Sequence, residues 1–428
     1  MSYRFSNDIV FKKFLPGPFW AVMYLSWPFA HWYGSDLIFG WIFSGTIVAF
    51  HICIWSFVYQ RYFNEIAMRF QTEVSLTIYM ASIVTHILNI PLLITTWMIR
   101  GRKRVRHFIS AIETVDERLS KFGINTRKKF IDFKWLVIVV GPLVGMLILL
   151  REPVYTYHDL EVEHYEVFIQ LLRFWGQYDI VIASYVLYFF VYLTWVVDDR
   201  YRIINSLLEN ITDAEYGDEY IAGNGRRVTL AEWIATVRGL RALHRKLFFA
   251  AEKISQAFGL QILQITLLTL LSFIGDLYQY HVSTKLPCGQ TTSGITTFLL
   301  PNIFRLIPIF VAAFQGDRTI ARAKRTIIVL HDTVVSDDTL RMEVATFSLQ
   351  LIHYDFRFSA CGFFDIDLSV IHMIAGTIVT YLIILIQIGT LPKRCRGISD
   401  WANRSQNNAT EFPDIDNANE LLASNYLQ

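Results

Sequence analysis

Charge is what this sequence has least of. Only 18% of its 428 residues are Asp, Glu, Lys or Arg, against about a quarter in soluble domains. A solvated globule of this length is therefore excluded. The net charge is +2, and no basic block is interleaved with base-stacking aromatics, so no nucleic-acid partner is expected. Cysteine is equally sparse. The four residues Cys53, Cys288, Cys361 and Cys395 are scattered and cannot form a metal cage by spacing. No HExxH, CxxC, GxSxG, GxGxxG or P-loop pattern occurs. Those absences speak against an enzyme and leave no cofactor or metal to expect. The acidic pairs Asp198-Asp199 and Asp337-Asp338 stand at helix boundaries and read as end charges and caps, not as an acid–base dyad. The opening stretch MSYRFSNDIVFKKF lacks the apolar core and cleavage site of a signal peptide. No repeat of fixed period is visible.

What is present is apolar. Such residues make up 53% of the chain and aromatics 15%, and they come in long runs, the pattern of a polytopic membrane protein. Crossing about 30 Å of hydrocarbon takes roughly 20 apolar residues as a helix. Seven stretches qualify or nearly so: 37–59, 74–99, 135–150, 178–197, 258–278, 295–314 and 368–388. The third is short. An eighth patch, 14–33, holds Pro16, Pro18 and Pro28 and reads as a segment at the membrane interface.

Lys and Arg set the orientation. The N-terminus and the loops after spans two, four and six carry three, ten, nine and six of them. The loops after spans one, three and five carry two, two and one, and the tail carries four. The expected arrangement is all-α, with seven spans, the N-terminus in the cytosol and the C-terminus outside. It is the inverse of a G-protein-coupled receptor. Residues 1–36 form a cytosolic or interfacial segment, and 37–314 hold spans one to six. A cytosolic unit occupies 315–366, the last span 367–390, and a polar extracellular tail 391–428.

The long even-numbered loops repeat apolar residues at three and four, so the helices should continue from the spans into the cytosol. After span six, Ser336-Asp337-Asp338 offers N-cap chemistry, and Leu340, Val344, Phe347 and Leu351 then share one face. That face either packs on the protein's own cytosolic helices or joins an anchor shared between subunits.

In the last span Thr377, Thr380, Ile384 and Gln387 also share a face. A Gln amide left unsatisfied in lipid costs several kcal/mol, so the stripe must meet protein or water. Glue between helices and a pore lining, with neutral dipoles and an aliphatic ring, both fit.

The stretch TYLIILIQI resembles the terminal signature of insect gustatory receptors: Thr-Tyr, five apolar residues, then Gln-Phe. The upstream stretch FSACGFFDIDLSVIHMIAG is similar to the same region of that family. The resemblance covers about 30 residues by motif and the whole chain by topology. It implies a ligand-gated, non-selective cation channel related to the insect odorant receptor channels, a homotetramer or a heteromer with other gustatory receptors. It implies a small-molecule tastant, the plasma membrane of sensory neurons, a pore lined by the last helix, and a gate at Gln387 and Ile388. Tyr381 matches the signature as a packing residue. Where the family usually has Phe, this chain has Ile388, which still makes an apolar constriction but closes less area.

Ionisable residues inside spans are costly and therefore candidate sites. Arg305 lies mid-span between Pro301 and Pro308, and Asp276 and Asp179 lie near outer span ends. With Trp175, Gln177, Tyr178, Tyr278 and Tyr280 they could line a ligand pocket, or Arg305 could simply pair with an acid. His51 and His86 read as helix contacts. Outside, Cys288 and Cys395 could form a disulfide, whereas Cys53 and Cys361 stay reduced. Asn403 and Asn408 are sequons on the outer side, and Asn210 is a sequon in the cytosol. Two other classes compete. A seven-helix receptor acting through a cytosolic partner conflicts with the inside N-terminus, and a secondary transporter lacks paired half-repeats.

Overall fold

The computed structural model describes residues 45–54, 56–57, 73–124, 166–214, 229–285, 295–332, 337–354 and 356–388. Among them all regular structure is helical, and extended pairing is limited to an isolated bridge between Ser359 and Asp365. Helix α1 (Gly45–Ile54) is the described part of the first expected span. Helix α2 (Glu73–Thr96) passes through a π-turn (Trp97–Gly101) into α3 (Arg102–Lys121). The long helices α4 (Glu166–Ala214), α5 (Leu230–Lys285) and α6 (Ile295–Asp332) follow, then α7 (Asp338–His353) and α8 (Ser369–Ile388). The expected third span, 135–150, and the patch 14–33 lie outside the described residues.

Helices α4, α5, α6 and α8 are each long and apolar enough to cross a membrane. At 1.5 Å per residue, α4, α5 and α6 measure about 74, 84 and 57 Å, about two to three times the hydrocarbon thickness. Each span therefore runs on, as the same helix, into a polar lobe that carries most of the described Arg and Lys residues. Residues 198–214, 230–257 and 315–332 are these extensions.

Burial differs sharply between spans. The most apolar stretch of α4 is 89% buried, which is why it can be apolar all round. That of α8 is equally hydropathic yet only 17% buried. Helices α4 and α6 lie parallel: Thr194, Asp198 and Asn205 bond to Thr319, Arg322 and Thr326, partners separated by 125, 124 and 121 residues. Helix α2 crosses α5 antiparallel. There Gln264 donates to Asn89 Oδ1 at 2.7 Å and Gln261 to the Leu93 carbonyl at 3.2 Å, interhelical hydrogen bonds of the kind that join membrane helices.

In the lobe, Asp198 is not the solvated end charge its position implies. It is fully buried and bonds Arg322 at 2.6 Å, with Arg318 at 3.7 Å. The buried Arg200 makes a two-pronged bond to Asp116, at 3.0 and 2.9 Å, tying α4 to α3. Both acids face the lobe because guanidinium groups wait there.

Helix α7 begins as its sequence requires. Asp337 caps it by accepting from the Thr339 and Leu340 amides at 2.9 and 3.0 Å. Leu340, Phe347 and Leu351 are buried and Val344 is half-buried, each fully buried side chain contributing about 1.5–3 kcal/mol. Their partner is α5: Phe347 packs on His244, and Glu343 pairs with Arg238 and Arg241 at 2.7 and 3.3 Å. The face thus serves the chain's own helices.

From α7 the chain turns back through a tight hairpin at residues 358–366. The Ile366 amide donates to the Phe358 carbonyl at 2.7 Å and the Ala360 amide to that of Phe364 at 2.9 Å. Ser255 of α5 bonds both the amide and the carbonyl of Ser359, at 2.9 and 3.2 Å. Two glycines permit this approach. A methyl on Gly316 would overlap the Ile366 carbonyl oxygen, and one on Gly259 would stand 2.9 Å from that of Ser359. The hairpin is thereby wedged between α5 and α6 and sets where α8 starts.

Candidate functional site

Two groups of residues stand out: a polar cluster in the lobe-distal half of the bundle, and the exposed faces of α8. In the cluster, Asn302 is buried and donates to Asp276 Oδ2 at 2.6 Å. Arg305, one turn along α6, reaches Asn302 Oδ1 at 3.5 Å and Asp276 at 4.0 Å. Asn302 therefore bridges an acid and a base that lie at the edge of ion-pair contact. Asp276 keeps 40% of its side chain exposed and Arg305 only 13%. The buried Asp179 belongs to the same layer, because the parallel register of α4 on α6 puts it level with residues 302–305. Tyr278 is buried and Tyr280 half-buried at the same end of α5.

The structure thus joins Asp276 and Arg305 through Asn302 and brings Asp179 to their depth. Trp175, Gln177 and Tyr178 lie on α4, at the turn beyond Asp179, and their side chains fall outside the described residues. Asn302 is the residue that sequence reading missed. An uncharged amide in a span carries little signal, although its place one turn before Arg305 and next to Pro301 is such a signal. His51 is buried in α1, and the side chain of His86 is not described.

On α8, Val370, Ile374 and Ile378 form the buried face. The stripe Thr377, Thr380, Ile384 and Gln387 lies about a quarter-turn round from it. Thr377 is half-buried; Thr380, Ile384 and Gln387 are exposed. The two threonine hydroxyls bond back to the carbonyls of Met373 and Gly376, at 2.7 and 2.8 Å. Among the described residues, then, neither threonine ties α8 to another helix. Tyr381 is 54% exposed, and Val379, Ile383 and Ile386 are exposed as well. Ile388 ends the helix, and its side chain is not described. Cys288, Cys395, Asn403 and Asn408 also lie outside the described residues, whereas Cys53 and Cys361 are free thiols. Among the described residues no cluster could hold a metal.

Residues 27–391 match the family model described as 7tm Chemosensory receptor. The chain is 23% identical over 307 residues to putative gustatory receptor 28b of Drosophila melanogaster, covering 66% of this chain and 64% of that one. It is 27% identical over 177 residues to the gustatory receptor for bitter taste 66a of the same species, covering 37% and 32%. These alignments span less than two thirds of either relative. The structure resembles that of the insect olfactory receptor OR5 from Machilis hrabei, with a TM-score of 0.55 at 11% identity over 83% of this chain and 91% of that one. The same receptor in complex with eugenol gives 0.52 over 80% and 88%. At such identity the likeness is one of fold. The family match takes in every described helix and most of the sequence, and the spans it covers are those that must sit in lipid: this chain is a multi-pass membrane protein and belongs to the 7tm chemosensory receptor family.

Proposed function

We propose that this chain is a gustatory receptor that works as a ligand-gated, non-selective cation channel opened by a small tastant. The observation that carries the reading is α8: a span as apolar as the buried α4, yet 17% buried, with a Thr-Thr-Ile-Gln stripe that the other described residues leave exposed from Thr380 on. Such a helix is unfinished in one subunit. Several copies around an axis give the apolar faces neighbours and turn the polar stripe toward water, the arrangement of a pore whose dipoles contact a cation. Gln387, with Ile388 beyond it, then stands at the outer mouth as the gate, and Thr377, Thr380 and Ile384 line the path.

Helix α7 supports the same assembly. Opposite its buried face, Met342, Ala345, Leu349 and Ile352 are exposed at spacings of three, four and three, a seam suited to a copy of itself. The lobe lies in the cytosol, by the Lys and Arg distribution, and the cell membrane of a sensory neuron is the expected location. The ligand site is the outer cluster of Asp179, Asp276, Asn302 and Arg305 with the nearby aromatics. The eugenol complex of the OR5 relative supports a small, partly aromatic ligand. Ligand opens the channel to the extent that it binds the open arrangement more tightly.

The test is whole-cell current from the chain expressed alone, against a tastant panel, with Gln387→Ala beside the parent. A ligand-evoked cation current that Gln387→Ala alters, at unchanged surface protein, is the expected result. Well-expressed surface protein that passes no current would favour a heteromer with another gustatory receptor, or signalling through a cytosolic partner.

A further inference from the structure

The exposed side of α2 and its π-turn, which make up the second expected span, changes character abruptly toward the polar lobe. Val84, Leu88, Leu92 and Ile99 are 49%, 49%, 46% and 63% exposed, with Thr95 exposed between the last two. Their spacing of four, four, three and four marks one continuous exposed apolar stripe, suited to lipid. Past Ile99 the next exposed side chains are Arg100, Lys103, Arg106 and His107. No acidic residue occurs between Arg100 and Glu113.

Five other exposed arginines are paired, whereas these four cations, like Arg118, Lys121, Arg245 and Lys324, are not paired among the described residues. Arg202, Arg238, Arg325, Arg341 and Arg357 each hold a carboxylate, at 2.5, 2.7, 2.9, 3.0 and 3.3 Å. Among the described residues, Arg100, Lys103, Arg106 and His107 hold none. Arg104, on the protein-facing side of the same turn, reaches across to the Gln256 carbonyl of α5. It brings Lys253, one turn away, to the same depth. Glu252, also at that depth, accepts from Gln256 Nε2 at 2.9 Å. Like charges three and four residues apart destabilise a helix, so an unmatched run of this kind calls for an external anion.

We propose that Arg100, Lys103, Arg106 and His107 form a binding site for the headgroup of a polyphosphorylated inositol lipid, in the leaflet that faces the polar lobe. The four positions span about 10 Å of helix rise, the reach of one headgroup with several phosphates, and arginine forks suit phosphate oxygens. Basic clusters immediately beyond a membrane helix are the usual signature of such lipids. The lipid source is favoured over a soluble phosphate because Leu92 and Ile99 lie directly below the cations, where acyl chains would rest. The inference shares with the proposed function only the orientation that makes this leaflet cytosolic, and its test does not depend on channel activity.

Native mass spectrometry of the full-length protein in detergent would be run with phosphatidylinositol 4,5-bisphosphate, phosphatidylserine, phosphatidylcholine and free inositol trisphosphate. The expected result is a saturable adduct of the bisphosphate lipid, weaker serine-lipid adducts, and at least ~10-fold weaker bisphosphate binding in Lys103→Glu/Arg106→Glu. Lys103→Gln/Arg106→Gln serves if the glutamate variant is not monodisperse, and Arg341→Gln, at a paired arginine, should bind as the parent does. Equal adducts of all the lipids, or unchanged binding in both double variants, would overturn the site. Binding of inositol trisphosphate as tight as that of the lipid would overturn the lipid assignment.

Discussion

His244 sits in the polar lobe between Tyr201 and Phe347, with ring centroids 4.9 and 5.8 Å away. Burial pushes its pKa down to about 4 from 6.5, although the Ala323 carbonyl pulls the other way. Between those two values the unfolded chain binds a proton that the folded chain refuses. Stability from this source is therefore complete above about pH 6.5 and declines as the pH falls toward 4. His244→Leu should move the acid limb of unfolding to lower pH, read as the monodisperse fraction on gel filtration in detergent across that range. An unshifted acid limb would mean that protonation of His244 does not govern it. Such a histidine was not legible in the sequence, because its neighbours come from α4 and α7, far away in the chain. Asn302 was missed for a related reason: its importance comes from Asp276, on the adjacent helix. Asp198 was read as a surface charge because its partners, Arg318 and Arg322, lie more than a hundred residues away.

At the scale of elements, local chemistry was a better guide. The capping Asp337 and the apolar repeat of α7 are both where the sequence puts them, since a cap and a 3.6-residue period are decided within a few residues. The continuation of spans into the lobe was equally legible from apolar periodicity beyond the membrane. The hairpin at 358–366 was not, because it depends on clearance at Gly259 and Gly316 on two other helices. Gly316→Ala forces a methyl into the Ile366 carbonyl and should lower stability by about 1–3 kcal/mol, the usual penalty of overpacking. Ser255→Ala removes the hydroxyl that serves Ser359 and should cost about 1 kcal/mol. Thermal unfolding of the purified protein, followed by fluorescence-detected gel filtration, would rank the two. A Gly316→Ala melt matching the parent would show that the hairpin can shift at no cost.

For the whole molecule, the expected seven-span layout and its family agree, and the described helices supply the spans they cover. Orientation is the part that chemistry outside the bundle can test. If the lobe is cytosolic, Asn403 and Asn408 are glycosylated and Asn210 is not. Treatment with an N-glycosidase should shift the mass of the parent and of Asn210→Gln, but not of Asn403→Gln/Asn408→Gln. A shift lost only in Asn210→Gln would invert the molecule. The outer polar layer was half legible: its charged members were visible as ionisable residues in spans, while the amide that links Asp276 to Arg305 was not.

The seating of α8 has a mechanical consequence. Its buried contacts, Val370, Ile374 and Ile378, all lie in its first half, beside the wedged hairpin. A rod clamped at one end and held at the other only by the half-buried Leu385 is a lever. From Ile378 to Gln387 the arm is about 13.5 Å, so a tilt of about 11° at the clamp swings the tip, where Gln387 sits, by about 2.6 Å. That is close to the width of a water molecule. If Gln387 stands at the proposed gate, a small tilt at the hairpin is enough to separate a wet constriction from a dry one.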